Sequence, residues 1–79
     1  MAVFEKVKAI IVKELAVAKS EVSESASLGD DLDADSLNKF TIYSAVEEEF
    51  GIDLGDEETM EVETVGDLVS LIKRKMTSP

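Results

Sequence analysis

No cysteine and no histidine occurs anywhere in the chain. The first absence excludes disulfides and thiolate metal sites and fits a reducing compartment. The second removes the commonest general base and the commonest transition-metal ligand. Long apolar runs are missing too. Ala9-Ile10-Ile11-Val12 is too short for a membrane span or a signal-peptide core, so the chain reads as soluble, unexported and cytoplasmic. Positive charge is scarce in the middle, where Lys39 stands alone between residues 21 and 63 against fifteen acids.

The net charge is −10, although both ends carry a small surplus of lysine and arginine. Such a field repels nucleic acid and anionic membrane and speeds encounter with basic protein surfaces. A merely solubilising surface would carry the same charge. The chain has 79 residues, which is enough for a single domain, residues 1–79. A chain this short buries only about 60% of its unfolded surface, so its stability should be a few kcal/mol.

Helical periodicity dominates. Phe4, Val7, Ile11 and Leu15, with Val3 and Ile10 beside them, predict a first helix over residues 2–16. Residues 17–34 lack a period and read as a long loop rich in Ser and Asp, pinned to the core by Leu28 and Leu32. A second helix is predicted from Ser36 to Phe50, capped by Asp35 or Ser36 and stopped by Gly51. Its core stripe holds Ile42, Tyr43, Val46 and Phe50; Leu37, Phe40, Thr41, Ser44 and Glu48 lie on the other side. Residues 56–61 form one short helical turn carrying Met60. Thr64-Val65-Gly66-Asp67 reads as a capping box that starts the last helix. Val65, Leu68, Val69, Ile72 and Met76 line one of its faces, and Lys73, Arg74 and Lys75 suit the negative end of its dipole. Nothing alternates as a strand would. The expected architecture is all-α, a small four-helix bundle of three longer helices and one short one.

Two chemistries fail on inspection. Asp31-Leu32-Asp33-Ala34-Asp35 imitates the opening of a calcium-binding EF-hand loop, but the sixth and twelfth positions hold Ser36 and Ile42 instead of Gly and Glu. No metal site is therefore expected, leaving only weak divalent binding to clustered carboxylates. Catalysis by a serine needs a partner base, and only carboxylates and lysines are on offer, so no catalytic residue is assigned and the chain is not read as an enzyme. Ser36, at the start of a helix and without a base to activate it, is better suited to being modified by another enzyme.

The surroundings of Ser36 carry a family likeness. Asp30-Asp31-Leu32-Asp33-Ala34-Asp35-Ser36-Leu37, then Val46 through Ile52 with its Glu47-Glu48-Glu49-Phe50-Gly51, then Thr64-Val65-Gly66-Asp67-Leu68-Val69 follow one another at matching spacing. Together these blocks resemble the acyl carrier proteins of fatty acid and polyketide synthesis.

The resemblance implies that Ser36, flanked by Asp35 and Leu37, receives 4′-phosphopantetheine from coenzyme A through a separate phosphopantetheinyl transferase. A phosphodiester there would sit near a helix N-terminus, where an anion is favoured. The arm ends in a thiol that this cysteine-free chain cannot supply itself. The resemblance also implies an acyl pocket, with Leu28, Leu32, Ile42, Val46, Met60, Val62, Leu68 and Leu71 as lining, although the same residues would serve as plain core. It implies that a monomer presents Asp35, Leu37, Phe40, Thr41, Glu47 and Glu48 to basic patches on acyl synthases and transferases, with an acyl chain as cargo.

Four residues depart from that family's pattern. Asp33 replaces a usual glycine, Asn38 a usual aspartate and Thr41 a usual acid, while Lys39 brings a cation to the first turn of the second helix. Asp tolerates the left-handed region better than most residues. Lys39 is expected to lay its stem over the pocket mouth with its ammonium in water. These changes point to a specialised carrier. The rival readings are an aminoacyl or peptidyl carrier, and an acidic, calcium-responsive interaction module.

Overall fold

A computed structural model describes residues 2–77. It contains α1 (Val3–Leu15), a 3-10 turn (Lys19–Glu21), α2 (Ser36–Phe50), α3 (Asp56–Met60) and α4 (Val65–Thr77). This is the expected helical bundle with one short member. The α1 helix packs on both α2 and α4, because its periodic apolar positions turn Val7 and Ile11 fully inward. Facing them are Ile42 and Val46 from α2 and Val65, Leu68, Val69, Leu71 and Ile72 from α4. Each such buried aliphatic side chain contributes roughly 1.5–3 kcal/mol.

The helix ends follow local chemistry. The α2 helix stops at Gly51, whose φ of 64° places it in the left-handed region. The N–H groups of Gly51 and Ile52 both donate to the Glu47 carbonyl, at 2.9 and 3.2 Å. The α1 helix ends without a glycine: Ala16 takes the left-handed conformation at φ 56° and donates its N–H to the Val12 carbonyl at 2.9 Å. At the start of α4 the capping box forms. Asp67 N–H donates to Thr64 Oγ1 at 3.0 Å, and Asp67 Oδ2 accepts the Glu63 and Thr64 N–H groups at 3.1 Å each.

The long segment from Ala16 to Asp35 is a built element. Val22, Ala26, Leu28, Leu32 and Ala34 are buried in it, so Leu28 and Leu32 do pin it. Its backbone is also fastened to the head of α4. Ser27 and Thr64 form an isolated antiparallel bridge. Leu28 N–H donates to the Glu63 carbonyl, Val65 N–H to Ala26 and Gly66 N–H to Glu24, at 2.9, 2.9 and 2.8 Å. A Cβ on Gly66 would lie 2.9 Å from the Glu24 carbonyl oxygen; glycine is what allows that approach. The Asp31 carboxylate accepts the Ser27 N–H at 2.7 Å and tightens the turn over residues 27–32.

Two expected core positions lie outside it. Met60 is 81% exposed and Met76 is 52% exposed. Only one turn of helix surrounds Met60, and α3 has no buried residue at all. Met76 lies four residues past Ile72, the last buried residue of α4. Tyr43 and Phe50 are half-buried and pack against the core rather than within it. Among the described residues, Lys6 pairs with Glu49 at 3.3 Å between α1 and α2, and Lys75 with Glu58 at 2.8 Å between α4 and α3. Among the described residues no helix is long and apolar enough to cross a membrane.

Candidate functional site at the head of the second helix

Ser36 is the first residue of α2 and is exposed. Its hydroxyl makes no hydrogen bond to other described residues. The residues on either side of it are fixed. Asp35 caps the helix, its Oδ1 accepting the Asn38 N–H at 2.8 Å, and its own N–H donates to Asn38 Oδ1 at 3.2 Å. The Asp35 carbonyl accepts the Lys39 N–H at 2.9 Å. Asn38 thus completes a reciprocal capping box. An α-helix leaves its first N–H groups without intrahelical acceptors. With Asn38 served by the cap and Lys39 by the backbone, those of Ser36 and Leu37 stay available to an anion.

Upstream, Asp33 adopts φ 57°, and Ala34 N–H donates to the Leu28 carbonyl at 2.8 Å. The left-handed turn expected at Asp33 is present. It swings the chain from the anchored loop into the cap, so the orientation of Ser36 is inherited from the seated Leu28 and Leu32.

Beside Ser36 lies an open groove of about 410 Å³, lined by Ser36, Lys39, Phe40 and Tyr43 of α2, Asp56, Thr59 and Met60 of α3, and Val62. Burial pushes the Tyr43 hydroxyl above its ordinary pKa, so it stays a neutral phenol at physiological pH. Lys39 is half-buried, and its Nζ lies 3.5 Å from where a Cβ of Gly29 would be. Lys39 lines the groove, but its ammonium lies against the anchored loop at Gly29, where it was expected to point into water.

The anticipated residues separate into three groups. Leu28, Leu32, Ile42, Val46, Val62, Leu68 and Leu71 are all buried together, whereas Met60 is a correction: it stands at the surface on the groove rim. Leu37 and Phe40 face outward, 72% and 68% exposed, with Asp35 and Glu48 also exposed. Thr41 and Glu47 are less outward than anticipated. Thr41 is half-buried beside Ile10, Lys13 and Glu14 of α1, and its Oγ1 donates to the Leu37 carbonyl at 3.0 Å. Glu47 is half-buried because its Oε2 accepts the Leu54 N–H at 2.8 Å, tying α2 to the connector after it. Sequence reasoning missed Tyr43, Asp56 and Thr59 as groove residues. The period of α2 put Tyr43 in the core stripe, and a five-residue helix has no pattern that announces which side it offers.

Among the described residues nothing is bonded to Ser36 Oγ. No group of three or more described carboxylates is placed to hold a metal ion, and the Asp31 carboxylate is already engaged by the loop. What the arrangement offers is an accessible hydroxyl, a helix terminus that favours an anion, and an adjoining groove with one cation.

Comparisons with known proteins agree on a family. A family model described as a phosphopantetheine attachment site matches residues 5–72. The chain is 45% identical to an acyl carrier protein of Solidesulfovibrio magneticus over 75 residues, covering 95% of this chain and 96% of that one. It is 48% identical to an acyl carrier protein of Petrotoga mobilis over 73 residues, covering 92% and 86% of the two chains. Among solved structures it resembles an acyl carrier protein from Enterococcus faecalis with a TM-score of 0.78, at 33% identity and with 92% of each chain covered.

Proposed function

The chain belongs to the acyl carrier protein family, and we propose that it carries acyl groups on a 4′-phosphopantetheine arm joined to Ser36. As a carrier it is a substrate of other enzymes and not a catalyst. The observation that carries the assignment to Ser36 is its exposed, uncommitted hydroxyl at the first position of α2. The residues around it fit the group. The N–H groups of Ser36 and Leu37 would face its phosphodiester, and the groove beside Ser36 is open enough to admit a flexible arm. When attached, the arm supplies the thiol on which acyl groups ride as thioesters.

In the loading reaction Ser36 Oγ forms a bond to the phosphorus nearer the pantetheine in coenzyme A. The pyrophosphate bond breaks and the nucleotide half leaves. The serine proton would pass to a base of the phosphopantetheinyl transferase. What the chain contributes is placement. The reciprocal Asp35–Asn38 cap and the Asp33 turn hold the hydroxyl at a fixed point on the surface.

Residues 1–79 act as one carrier domain, a monomer working in the cytoplasm. The acyl chain would lodge among Leu28, Leu32, Ile42, Val46, Val62, Leu68 and Leu71, with Met60 at the entrance. Asp35, Leu37, Phe40 and Glu48 would meet the basic docking patches of acyl synthases and transferases, with Thr41 at the edge of that face and Glu47 contributing mainly its field. Exposed charges of this kind set association rate and selectivity. The pathway, whether fatty acid, polyketide or specialised lipid synthesis, is read from the load.

Incubation with coenzyme A and a promiscuous phosphopantetheinyl transferase should add the mass of the arm, and Ser36→Ala should remain folded but gain nothing. A folded wild-type protein left unmodified by several transferases overturns the proposal. The intact mass of protein isolated from its host separates an acyl load from an aminoacyl one.

A further inference from the structure

Lys39 stands one turn after Ser36, and both side chains line the groove between α2 and α3. Residues three apart on a helix are neighbours, with Cβ atoms about 5–6 Å apart, and a lysine stem spans that gap easily. Lys39 is the only cation between residues 21 and 63. Among the described residues the ion pairs are Lys6–Glu49 and Lys75–Glu58, so no described carboxylate lies within 4 Å of the Lys39 ammonium. It is half-buried and rests against Gly29 in the anchored loop. A half-buried lysine with no described carboxylate within 4 Å of its ammonium, lining a groove that begins at the modifiable hydroxyl, is placed to receive an anion there.

We propose that Lys39 pairs with the phosphodiester of an arm on Ser36, leaving its place over Gly29 and laying the first segment of that arm along the α2–α3 groove. The inference rests on Ser36 as the attachment point. It answers an electrostatic problem set by the residues before Ser36. Asp30, Asp31, Asp33 and Asp35 lead into Ser36, and their field opposes a second anion at that point. The helix terminus offsets part of the repulsion, and one ammonium three residues on offsets more. Asp56, on the α3 side of the same groove, keeps the phosphate at the Ser36 end. Lys39 is then a positioning residue. It fixes the direction in which the arm leaves the helix and thus where its thiol can reach.

The test uses isotopically labelled full chain before and after loading from coenzyme A, with intact mass as the check on loading. In wild type, the Lys39 Cε–Hε resonances and the Gly29 amide resonance should both move on loading, and the phosphorus signal should relax as a tethered group. In Lys39→Met the mass gain should persist while the Gly29 change disappears. The pinned-to-free ratio of the phosphate should fall by about 1.5- to fivefold, the range for an exposed ion pair. Lys39→Arg should restore it. A normal mass gain with Lys39 and Gly29 unmoved overturns the pairing and leaves the Ser36 assignment standing. Movement that starts only after a carboxylate-ended acyl group is loaded assigns the ammonium to cargo and also overturns it. Wild type that gains no mass overturns both.

Discussion

Asn38 and Asp35 exchange two hydrogen bonds across the first turn of α2, the Asp35 N–H donating to Asn38 Oδ1 at 3.2 Å and the Asn38 N–H donating to Asp35 Oδ1 at 2.8 Å. Replacing the family's usual aspartate by Asn38 therefore keeps the box while removing a negative charge two residues from Ser36. Asp35→Ala should cost about 1 kcal/mol in urea unfolding, as loss of a good N-cap does. The same variant should be loaded by the transferase more slowly. Equal stability and equal loading in the variant would show that the cap neither holds the helix nor places the hydroxyl.

Asp33 and Ala16 both occupy the left-handed region, at φ 57° and 56°. The strain there is about 1–2 kcal/mol for an ordinary side chain and smaller for Asp. Ala16→Gly should therefore raise the unfolding free energy by up to about 1 kcal/mol, while Asp33→Gly should change it little. Asp33→Val, β-branched at the same φ, should destabilise by more than about 1 kcal/mol. Thermal melts of the three variants rank these effects.

Glu47 and Glu48 are adjacent in sequence but have different duties. Glu47 holds the Leu54 N–H, so Glu47→Ala should destabilise the fold by about 1–2 kcal/mol, the penalty for leaving a part-buried donor unmet. Glu48 is exposed, and Glu48→Ala should leave stability within about 0.5 kcal/mol. It should slow association with a basic partner enzyme, more at low salt than at high salt. Stopped-flow association rates across a salt series, set beside the melts, separate the two.

Acid should loosen the C-terminal half first. The N–H groups of Thr64 and Glu63 hold the Asp67 carboxyl below its ordinary pKa, and the Lys75 ammonium with the Gly55 N–H does the same for Glu58. Both groups bind fewer protons folded than unfolded between those lowered values and the ordinary carboxylate range. Their contributions are complete above about pH 4–5 and are lost as pH falls through the folded values. Asp67→Asn should flatten the acid limb of a stability–pH curve, with little change in slope above pH 6.

Local signals and tertiary outcomes diverged at identifiable places. The limits of α2 were legible because Asp35 and Gly51 carry strong start and stop chemistry, and the head of α4 because Thr64 and Asp67 stand three apart. The place of Ser36 at the exposed head of α2 was legible from the cap chemistry of Asp35. Met60 and Met76 misled because periodicity reports a face and not how far the bundle extends along it. Glu47 read as docking surface because a bond to a backbone N–H seven residues on has no sequence signature. The Ser27–Thr64 bridge is more remote still. Gly66, whose missing side chain admits the Glu24 carbonyl, gave no hint of its partner.

The fastening of the long loop to the head of α4 determines where the molecule has slack. Along that seam, backbone meets backbone from Glu24 to Leu28 and from Glu63 to Gly66, and parting it would strand several polar groups at once. Just before that seam in the chain, α3 is a single turn with no buried residue. Slack in this bundle is therefore expected at α3, where no side chain is anchored inside, and not at the stitched seam, where several main-chain bonds would have to break together.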